Sequence, residues 1–332
     1  MKVVHAVRSD GFAGVERHVA ILASAQAETG LDVTVIGGDP AAMVAHLPDT
    51  VEHHKAVTTW DVVRHLRKQK TDIVHAHMTA AEAAVLVADP LGRTPVVVTR
   101  HFARLRGAGA SRLAAAVIRR RVGRQIAVSR YVATRIDGDS VVIHPGVPDD
   151  EGEHVARSRL VLAVQRLQPE KATDVAIRAF AAGAPDDWRM QVVGRGSERS
   201  RLELLAHELG VKDRVEFLGF RHDVAALMSS AGILVAPCPI EALGFSVLEA
   251  MSHGLPVVAA NAGAHRETVG SVGDAHLFDP GRWQQAAVHL KTLAEDDSRR
   301  AAYGEALQQA QRREFTPQAQ VRATMAVYEE LL

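Results

Sequence analysis

The chain has 332 residues, a formal net charge of zero and one cysteine, Cys238. At roughly 150 residues per domain this length predicts about two domains, and 47% hydrophobic with 23% charged residues excludes a disordered or collagen-like chain. Balanced charge argues against a dedicated nucleic-acid binder, and one cysteine excludes an intrachain disulfide and a cysteine-built zinc site. We find neither an apolar run of membrane-spanning length nor a signal peptide, so we expect a cytoplasmic protein.

Short apolar runs rich in β-branched residues alternate with stretches of helical period, which predicts parallel sheets covered by helices. In the first half the predicted strands are Lys2–Val7, Asp32–Ile36, Asp72–His75, Pro95–Thr99, Gln125–Val128 and Val141–Ile143. Between the first two strands, Val15, Val19 and Leu22 recur at helical spacing, which predicts a helix that Gly30 ends.

A segment rich in Pro, Gly and acidic residues, 144–153, interrupts this alternation and predicts a linker. The alternation then restarts. The predicted strands are Leu160–Val164, Met190–Val193, Val215–Leu218, Ile233–Ala236 and Pro256–Ala260, and the predicted helices are Thr173–Ala182, Ser200–Leu209 and Ser246–Ser252. From Arg282 onward only helices are predicted, with a break near Phe315-Thr316-Pro317. Ligands of open parallel sheets bind beyond the carboxyl ends of the strands, so we expect the main site in a cleft between the two sheets.

The residues with the clearest chemistry follow the predicted strand that ends at Ala236. Glu241 lies in the loop, Glu249 lies inside the next helix, and the start of that helix is Gly244-Phe245-Ser246. Free amides at a helix start bind anions, and a carboxylate on either side can accept hydrogen bonds from sugar hydroxyls. The set suits a sugar joined to a phosphate, but a helix start with favourable acidic residues nearby explains it equally well.

Two other strand ends carry candidate phosphate-binding residues. Arg166 and Lys171 follow the first strand of the second half, where both can reach one phosphate group. Either residue alone is typical of a solvated surface cation. Gly11 and Gly14 follow the first strand of the chain and allow its backbone to approach a ligand closely, although a glycine-rich turn is also common in structural roles.

Together these three segments resemble the retaining GT-B glycosyltransferases of family 4, which use nucleotide sugars. In chain order, the residues that match the family's motifs are Gly14 of the glycine turn, Thr99-Arg100-His101 of the histidine loop, the phosphate-binding pair Arg166 and Lys171, and the Glu-x7-Glu signature from Glu241 to Glu249. Segments 72–77 and 193–196 extend the likeness over nearly the whole chain.

The resemblance implies an α/β, GT-B fold with two Rossmann-like domains facing across a cleft. Residues 1–148 would bind the acceptor, residues 157–314 would bind the nucleotide sugar, and a C-terminal helix within 315–332 would return to the first domain. The implied activity is that of a hexosyltransferase that moves a sugar from UDP or GDP to an acceptor hydroxyl with retention of anomeric configuration. Cell-envelope glycan, glycolipid or secondary-metabolite glycoside synthesis would use such an enzyme. The nucleotide sugar is then a co-substrate, and no tightly bound cofactor or metal is expected.

The resemblance also implies roles for single residues. It indicates that Glu241 contacts the transferred sugar, that His101 lies near the reacting sugar, and that Arg166 and Lys171 stabilise the departing diphosphate. The predicted donor-binding residues are Gly14, Gly194, Gly196, Phe220, Gly244, Phe245, Ser246 and Glu249. Ala13 stands where the family has the first of two glycines, which restricts the backbone if that position needs a positive φ.

Three other patterns favour structural roles. Asp137-Gly138-Asp139 has the spacing of a metal-nucleotide site, but Asp-Gly before a strand is typical of a turn. His75 and His77 could ligate a metal, yet alternate strand residues without a nearby Cys or Asp favour packing or hydrogen bonding. Cys238 has no evident base, which disfavours a nucleophile.

The net charge of zero conceals an uneven distribution. Residues 1–150 carry 19 basic and 15 acidic side chains, and from Pro90 through Ile136 eleven arginines occur without an Asp or Glu. The Arg-rich region 100–124 is a candidate contact for an anionic membrane, or for a lipid-linked or phosphate-bearing acceptor. A solvated helix face explains the same pattern. We expect no nucleic-acid partner.

Two other functions stay open. A nucleotide-sugar epimerase on the same fold would convert the donor without an acceptor. A non-catalytic nucleotide-sugar-binding partner of another transferase would bind the donor without turning it over.

Overall fold

A computed structural model describes residues 1–106, 112–149 and 156–332. The chain divides into two compact units, a first unit of Met1–Gly146 with Phe315–Leu332 and a second unit of Val147–Glu314. The change of unit at Gly146 falls inside the predicted linker 144–153, of which residues 150–153 lie outside the described part of the chain.

The first unit contains a parallel sheet. Its strands in the described residues are β1 (Lys2–Val7), β2 (Asp32–Ile36), β3 (Glu52–His54), β4 (Ile73–His77), β5 (Val96–Arg100), β6 (Arg124–Ala127) and β7 (Val141–Val142). Its helices there are α1 (Gly14–Glu28), α2 (Pro40–His46), α3 (Thr59–Leu66), α4 (Thr79–Ala88), α5 (Arg112–Arg121), α6 (Arg130–Ala133) and, from the end of the chain, α13 (Pro317–Glu329). The strand order is β3-β2-β1-β4-β5-β6-β7. Strands β4 and β5 are buried throughout, as expected for a parallel sheet with both faces covered.

The C-terminal helix α13 completes the core of the first unit. Tyr328 is fully buried with Val3, Ile73 and Val97, which lie on β1, β4 and β5. A Cβ atom on Gly146 would overlap the backbone of Thr316 just before α13, so only glycine fits there. The first unit is therefore formed by two separate segments of the chain.

The second unit contains another parallel sheet. Its strands are β8 (Leu160–Val164), β9 (Arg189–Val193), β10 (Val215–Gly219), β11 (Ile233–Ala236), β12 (Val257–Ala260) and β13 (Leu277–Phe278) over the residues that the structure describes. The helices of that part are α7 (Thr173–Gly183), α8 (Arg199–Glu208), α9 (Val224–Ser230), α10 (Phe245–Ser252), α11 (Trp283–Glu295) and α12 (Asp297–Glu314). The strand order is β10-β9-β8-β11-β12-β13. Each unit thus has the Rossmann-like arrangement that the sequence predicts.

The predicted strands are confirmed, with bounds that differ by at most two residues. The helical end of the chain and its break before Pro317 are confirmed as well. The sequence analysis missed β3 and β13, because both are short strands at the edge of a sheet, and an edge strand pairs on one side only. Among the described residues, no helix combines the length and apolar character that crossing a bilayer requires.

The turn Asp137-Gly138-Asp139 has a structural role, as the sequence indicates. Gly138 has a φ of 76°, and Asp137 accepts hydrogen bonds from Arg100 Nη1 at 3.1 Å and Arg106 Nη1 at 2.7 Å. Burial raises the pKa of Asp137, but these hydrogen bonds and the charge of Arg106 outweigh it and lower the pKa overall. The carboxylate of Asp137 is therefore charged, and it forms ion pairs with Arg100 and Arg106.

Ion pairs also account for part of the Arg-rich region 100–124, of which residues 107–111 lie outside the described part of the chain. Arg106 Nε donates to Glu82 at 2.5 Å, and Arg121 Nη2 pairs with Asp89 at 2.8 Å. In contrast, Arg119 and Arg120 are exposed. Any contact with an anionic surface through this region thus depends on fewer arginines than the sequence count suggests.

One packing contact of the second unit gives a testable prediction. Gly183 ends α7, and a Cβ atom there would overlap the carbonyl oxygen of Ala287 on α11. Gly183→Ala should lower the free energy of unfolding by about 1–3 kcal/mol, because the two helices must separate to admit one methyl group. Urea unfolding measures the change. Gly273→Ala is the matched control, since a Cβ atom there meets no atom within 4 Å among the described residues. Equal stability of the two variants would contradict the packing argument.

Candidate functional site

The order of strands in the second sheet brings two predicted site residues together. Strands β8 and β11 are neighbours, but β9 follows β8 on one side and β12 follows β11 on the other. Connections that leave in opposite directions open a crevice at the carboxyl ends of such strands, where ligands of this architecture bind. Lys171 lies in the loop after β8 and Glu241 lies in the loop after β11.

Lys171 and Glu241 form an ion pair across this switch point. Lys171 Nζ lies 2.5 Å from Glu241 Oε2, and the side chains are 16% and 20% exposed. Burial opposes the charge of Lys171, but the Glu241 carboxylate outweighs it and raises the pKa of the ammonium. Burial likewise disfavours ionised Glu241, yet the charge of Lys171 lowers the pKa of this carboxyl. Both groups are therefore charged at neutral pH.

The backbone around Lys171 is fixed by local hydrogen bonds. Lys171 ends a short 3-10 turn, and Ala172 then adopts a left-handed φ of 51° before α7 begins at Thr173. The side-chain amide of Gln165 donates to the carbonyl oxygen of Lys171 at 3.1 Å and to Thr173 Oγ1 at 2.9 Å. Gln165 thus binds the residues before and after Ala172, and this fixed backbone positions the ammonium group of Lys171 toward Glu241.

Arg166 is not part of this ion pair. Its side chain is 69% exposed and lies 3.4 Å from Glu170 Oε1. Exposed pairs of this kind contribute little to stability, so the guanidinium can leave Glu170 at small cost.

The start of α10 lies next to Glu241. Gly244 precedes the helix with a φ of 88°, a conformation that favours glycine, and a Cβ atom there would lie 3.2 Å from Glu241 Cγ. No side chain of the described residues caps the first turn, which begins with Phe245 and Ser246. This turn can therefore offer amide donors to an anion beside the ion pair. Glu249 lies in the second turn of the same helix and is half-buried.

The sequence analysis missed His265, which is buried beside the Glu241 loop. The amide of Ala264 donates to the carbonyl oxygen of Glu241 at 2.9 Å, and His265 Nδ1 lies 3.2 Å from the carbonyl oxygen of Ala260. Burial lowers the pKa of His265 even though the charge of Glu241 opposes this shift. The sequence does have a glycine-containing turn directly after the strand that ends at Ala260, which could have marked a ligand-binding loop. Nothing in the sequence indicates that this turn packs against Glu241.

Cys238 lies at the base of the same loop and is buried. Burial and the nearby Glu241 carboxylate raise the pKa of its thiol to about 11. The side chain is thus a neutral thiol at pH 7, which agrees with the low expectation for a nucleophile.

Gly194 and Gly196 permit close packing between the loops after β8 and β9. A Cβ atom on Gly194 would overlap the carbonyl oxygen of Gln165, and one on Gly196 would overlap that of Leu167. The amide of Leu167 also donates to the carbonyl oxygen of Arg195 at 2.9 Å. These two predicted donor-binding glycines therefore have a structural role at this edge of the sheet.

Phe220 follows β10 and is 56% exposed. Its ring lies 4.8 Å from the ring of His222 in an edge-to-face arrangement, and the guanidinium of Arg195 lies 5.7 Å from its centroid. An exposed aromatic ring at the carboxyl edge of the sheet offers a flat apolar surface on which a nucleobase can stack.

At the carboxyl edge of the first sheet, the predicted glycine turn is free of strain. Ala13 has a φ of −135°, which is extended backbone, so the alanine costs nothing where the family has glycine. Its amide donates to Glu16 Oε2 at 2.9 Å, and α1 begins at Gly14. The expected restriction at this position is therefore absent.

Five buried histidines lie together in the described part of the first unit. They are His5 on β1, His18 on α1, His75 and His77 on β4, and His101 after β5. His75 lies within 2.7 Å of both Tyr328 Oη and Thr99 Oγ1, which confirms hydrogen bonding for this residue. Nitrogen atoms of two triples, His5-His75-His77 and His18-His77-His101, lie within 4.8 Å of one another, the spacing of potential metal ligands.

Comparison with known proteins shows similarity to glycosyltransferases over both units of the chain. The model for Glycosyltransferase Family 4 matches residues 12–151, and the model for Glycosyl transferases group 1 matches residues 149–310. Anabaena HepE in complex with UDP superposes with a TM-score of 0.81 at 23% identity, over 100% of both chains. The fold is that of the GT-B glycosyltransferases, and the two family models together match residues 12–310.

Curated relatives within the glycosyltransferases match parts of this chain. The 2-deoxystreptamine glucosyltransferase of Streptomyces kanamyceticus is 29% identical over 243 residues, which are 68% of this chain and 61% of that protein. The D-inositol 3-phosphate glycosyltransferase of Mycobacterium sp. (strain KMS) is 36% identical over 193 residues, 51% of this chain and 42% of that protein. The chain thus spans less than two thirds of the length of these relatives.

The histidine cluster predicts how stability depends on pH. Burial lowers the pKa of all five histidines, to about 4 for His5 and about 3 for His101, whereas an unfolded histidine titrates near 6.5. Below pH 6.5 the unfolded chain gains protons that the folded chain does not, so stability should fall by about 1.4 kcal/mol per pH unit for each such group.

Urea unfolding between pH 8 and pH 5 tests this prediction. The free energy of unfolding should be level above pH 6.5 and should fall below it. His18→Gln should reduce the slope, and the matched substitution His207→Gln at an exposed position should not. A slope that is the same in all three proteins would contradict the prediction.

Proposed function

We propose that the protein is a retaining, family 4 hexosyltransferase that moves a sugar from a UDP- or GDP-sugar to an acceptor hydroxyl. The observation that carries the proposal is the Lys171–Glu241 ion pair at the switch point of the second sheet, beside the uncapped start of α10. HepE has been crystallised with UDP-glucose, and two relatives are named as sugar transferases, which supports a nucleotide-sugar donor. These comparisons give no support to an epimerase.

We propose that residues 157–314 form the domain that binds the nucleotide sugar. Lys171 and the first amides of α10 would stabilise the charge that develops on the departing diphosphate, and Arg166 would turn from Glu170 to join them. Glu241 would accept a hydrogen bond from the transferred sugar through the oxygen that faces away from Lys171. Glu249 would hold the ribose hydroxyls, and Phe220 would stack on the base.

In the proposed reaction the bond between the anomeric carbon and the diphosphate breaks as a bond to the acceptor oxygen forms on the same face. The acceptor proton passes to the departing phosphate oxygen, so the step needs no enzymic base. We further propose that His101 lies near the reacting sugar, that Gly14 approaches the diphosphate, and that residues 1–148 bind the acceptor. A cytoplasmic location and a lipid-linked or phosphate-bearing acceptor are parts of the same proposal.

Substitution of the ion pair tests the site. Lys171→Met removes the charge that would meet the diphosphate, and Glu241→Ala removes the carboxylate that would accept from the sugar hydroxyl. Each should lower the rate of nucleoside diphosphate release by about 10²–10³-fold, as loss of one preorganised electrostatic group does in other enzymes. Lys291→Met is the matched control, because Lys291 is an exposed lysine in an ion pair with Glu295. Normal rates in both site variants, each with a native circular dichroism spectrum, would rule out this site.

A panel of donors tests the substrate class. UDP-, GDP- and ADP-sugars are compared by thermal shift, and the true donor at 100 times its dissociation constant should add about 2.7 kcal/mol to stability. NMR of the product should then show the anomeric configuration of the donor. Stabilisation without turnover would favour the non-catalytic binder, conversion of the donor without acceptor would favour the epimerase, and an inverted product would contradict retention.

A further inference from the structure

A chain of hydrogen bonds runs through the buried histidines of the first unit. Gln26 Oε1 lies 2.7 Å from His5 Nε2, His5 Nδ1 lies 3.1 Å from His77 Nε2, and His77 Nδ1 lies 3.1 Å from His101 Nε2. The chain begins on α1, crosses β1 and β4, and ends just after β5 at the carboxyl edge of the sheet. Each link thus joins two neighbouring elements of the unit.

Each histidine of this chain is neutral at pH 7, because burial lowers the pKa of His5, His77 and His101. A neutral imidazole has one N–H donor and one bare acceptor nitrogen. In a chain of such rings, the ring that donates at one nitrogen must accept at the other. The direction of one hydrogen bond therefore fixes the direction of every other bond in the chain.

Gln26 fixes that direction. Its side-chain oxygen can only accept, so His5 donates from Nε2 and accepts at Nδ1. His77 must then donate from Nε2 to His5 and accept at Nδ1. His101 in turn donates from Nε2 to His77, which leaves its Nδ1 without a proton.

Tyr328 of α13 holds Gln26 in this orientation. Gln26 Nε2 donates to Tyr328 Oη at 3.3 Å, while the amide oxygen faces His5 at 2.7 Å. Burial raises the pKa of Tyr328 well above its usual value, so its hydroxyl keeps its proton at neutral pH. That proton is donated to His75 Nδ1 at 2.7 Å, and His75 Nε2 donates to Thr99 Oγ1 at 2.7 Å. Tyr328 and His75 thus each accept one hydrogen bond and donate another in this branch.

We propose that Gln26 and Tyr328 are positioning residues that set the tautomers of His5, His77 and His101, so that His101 presents a bare Nδ1 to accept a hydrogen bond from a sugar hydroxyl. His101 is 8% exposed, the largest exposed fraction among the five clustered histidines, and it ends the chain at the carboxyl edge of the sheet. The proposal rests on the proposed function, since the hydroxyl belongs to the donor sugar or to the acceptor.

Long-range ¹H–¹⁵N NMR of the full chain, recorded with a chelator present, tests the tautomers directly. His5, His77 and His101 should each be protonated at Nε2. In Gln26→Leu the fixed acceptor is lost, and the three rings should show mixed tautomers. Tyr328→Phe should shift them in the same direction with less disturbance of packing. The matched controls are Gln308→Leu and Tyr303→Phe, which change buried hydrogen-bonded residues of the second unit.

Kinetics separate positioning from a merely structural role. In Gln26→Leu and Tyr328→Phe, kcat should fall about tenfold, the effect of one lost hydrogen bond to the reacting sugar, while KM for the nucleotide sugar stays unchanged. Gln26→Asn keeps an uncharged side-chain amide and should retain more of the wild-type tautomers and of kcat than Gln26→Leu does. If the hydroxyl belongs to the donor, slow hydrolysis of the donor without acceptor should fall by the same factor, and if it belongs to the acceptor, only transfer should fall.

Three results would overturn the proposal. The first is a wild-type His101 protonated at Nδ1, and the second is unchanged tautomers in both Gln26→Leu and Tyr328→Phe. The third is stoichiometric binding of added Zn²⁺ with loss of the Nε2 proton of His101, which would make the cluster a metal site instead. A wild-type protein with no transferase activity would refute the proposed function, and the NMR spectra would still decide the tautomers.

Discussion

The Lys171–Glu241 ion pair is the interaction on which the carboxyl edge of the second sheet depends. Two charges held at low exposure are stable only when they compensate each other, and loss of either partner leaves a buried charge unpaired. The pair also joins the loops after β8 and β11, which leave the switch point in opposite directions. Gln165 supports the pair from one side and the turn at Ala264 supports it from the other. The site is therefore defined by one electrostatic contact and the backbone that holds it.

The two units place different chemistry at equivalent edges of similar sheets. In the second unit Lys171 and Glu241 form a largely buried pair of opposite charges, whereas the five clustered histidines of the first unit have no acidic partner among the described residues and stay neutral. A charged pair suits a ligand with its own charge, such as a diphosphate. Neutral rings suit uncharged hydroxyls, because they offer one donor and one acceptor without a cost of desolvating an ion.

The sequence predicted the repeating strands and the loops that carry the site, because buried parallel strands read as continuous apolar runs. It did not show that Lys171 and Glu241 touch, since they are 70 positions apart and their contact depends on the order of strands. The sequence analysis also missed His5, Gln26 and Tyr328, because each lies in a segment whose pattern is typical of an ordinary buried core. Arg166 stays a predicted phosphate-binding residue, and in the structure its exposed side chain pairs with Glu170.

The return of α13 to the first unit has a consequence for the order of folding during synthesis. The core around Tyr328 stays incomplete until residues 315–332 leave the ribosome, and by then the whole of residues 147–314 has already emerged. The second unit is continuous in sequence and can fold as soon as it is made. Residues 1–146 are synthesised before the second unit, yet the apolar surface that α13 covers in the folded protein stays open until residues 315–332 follow, and an open apolar surface favours aggregation.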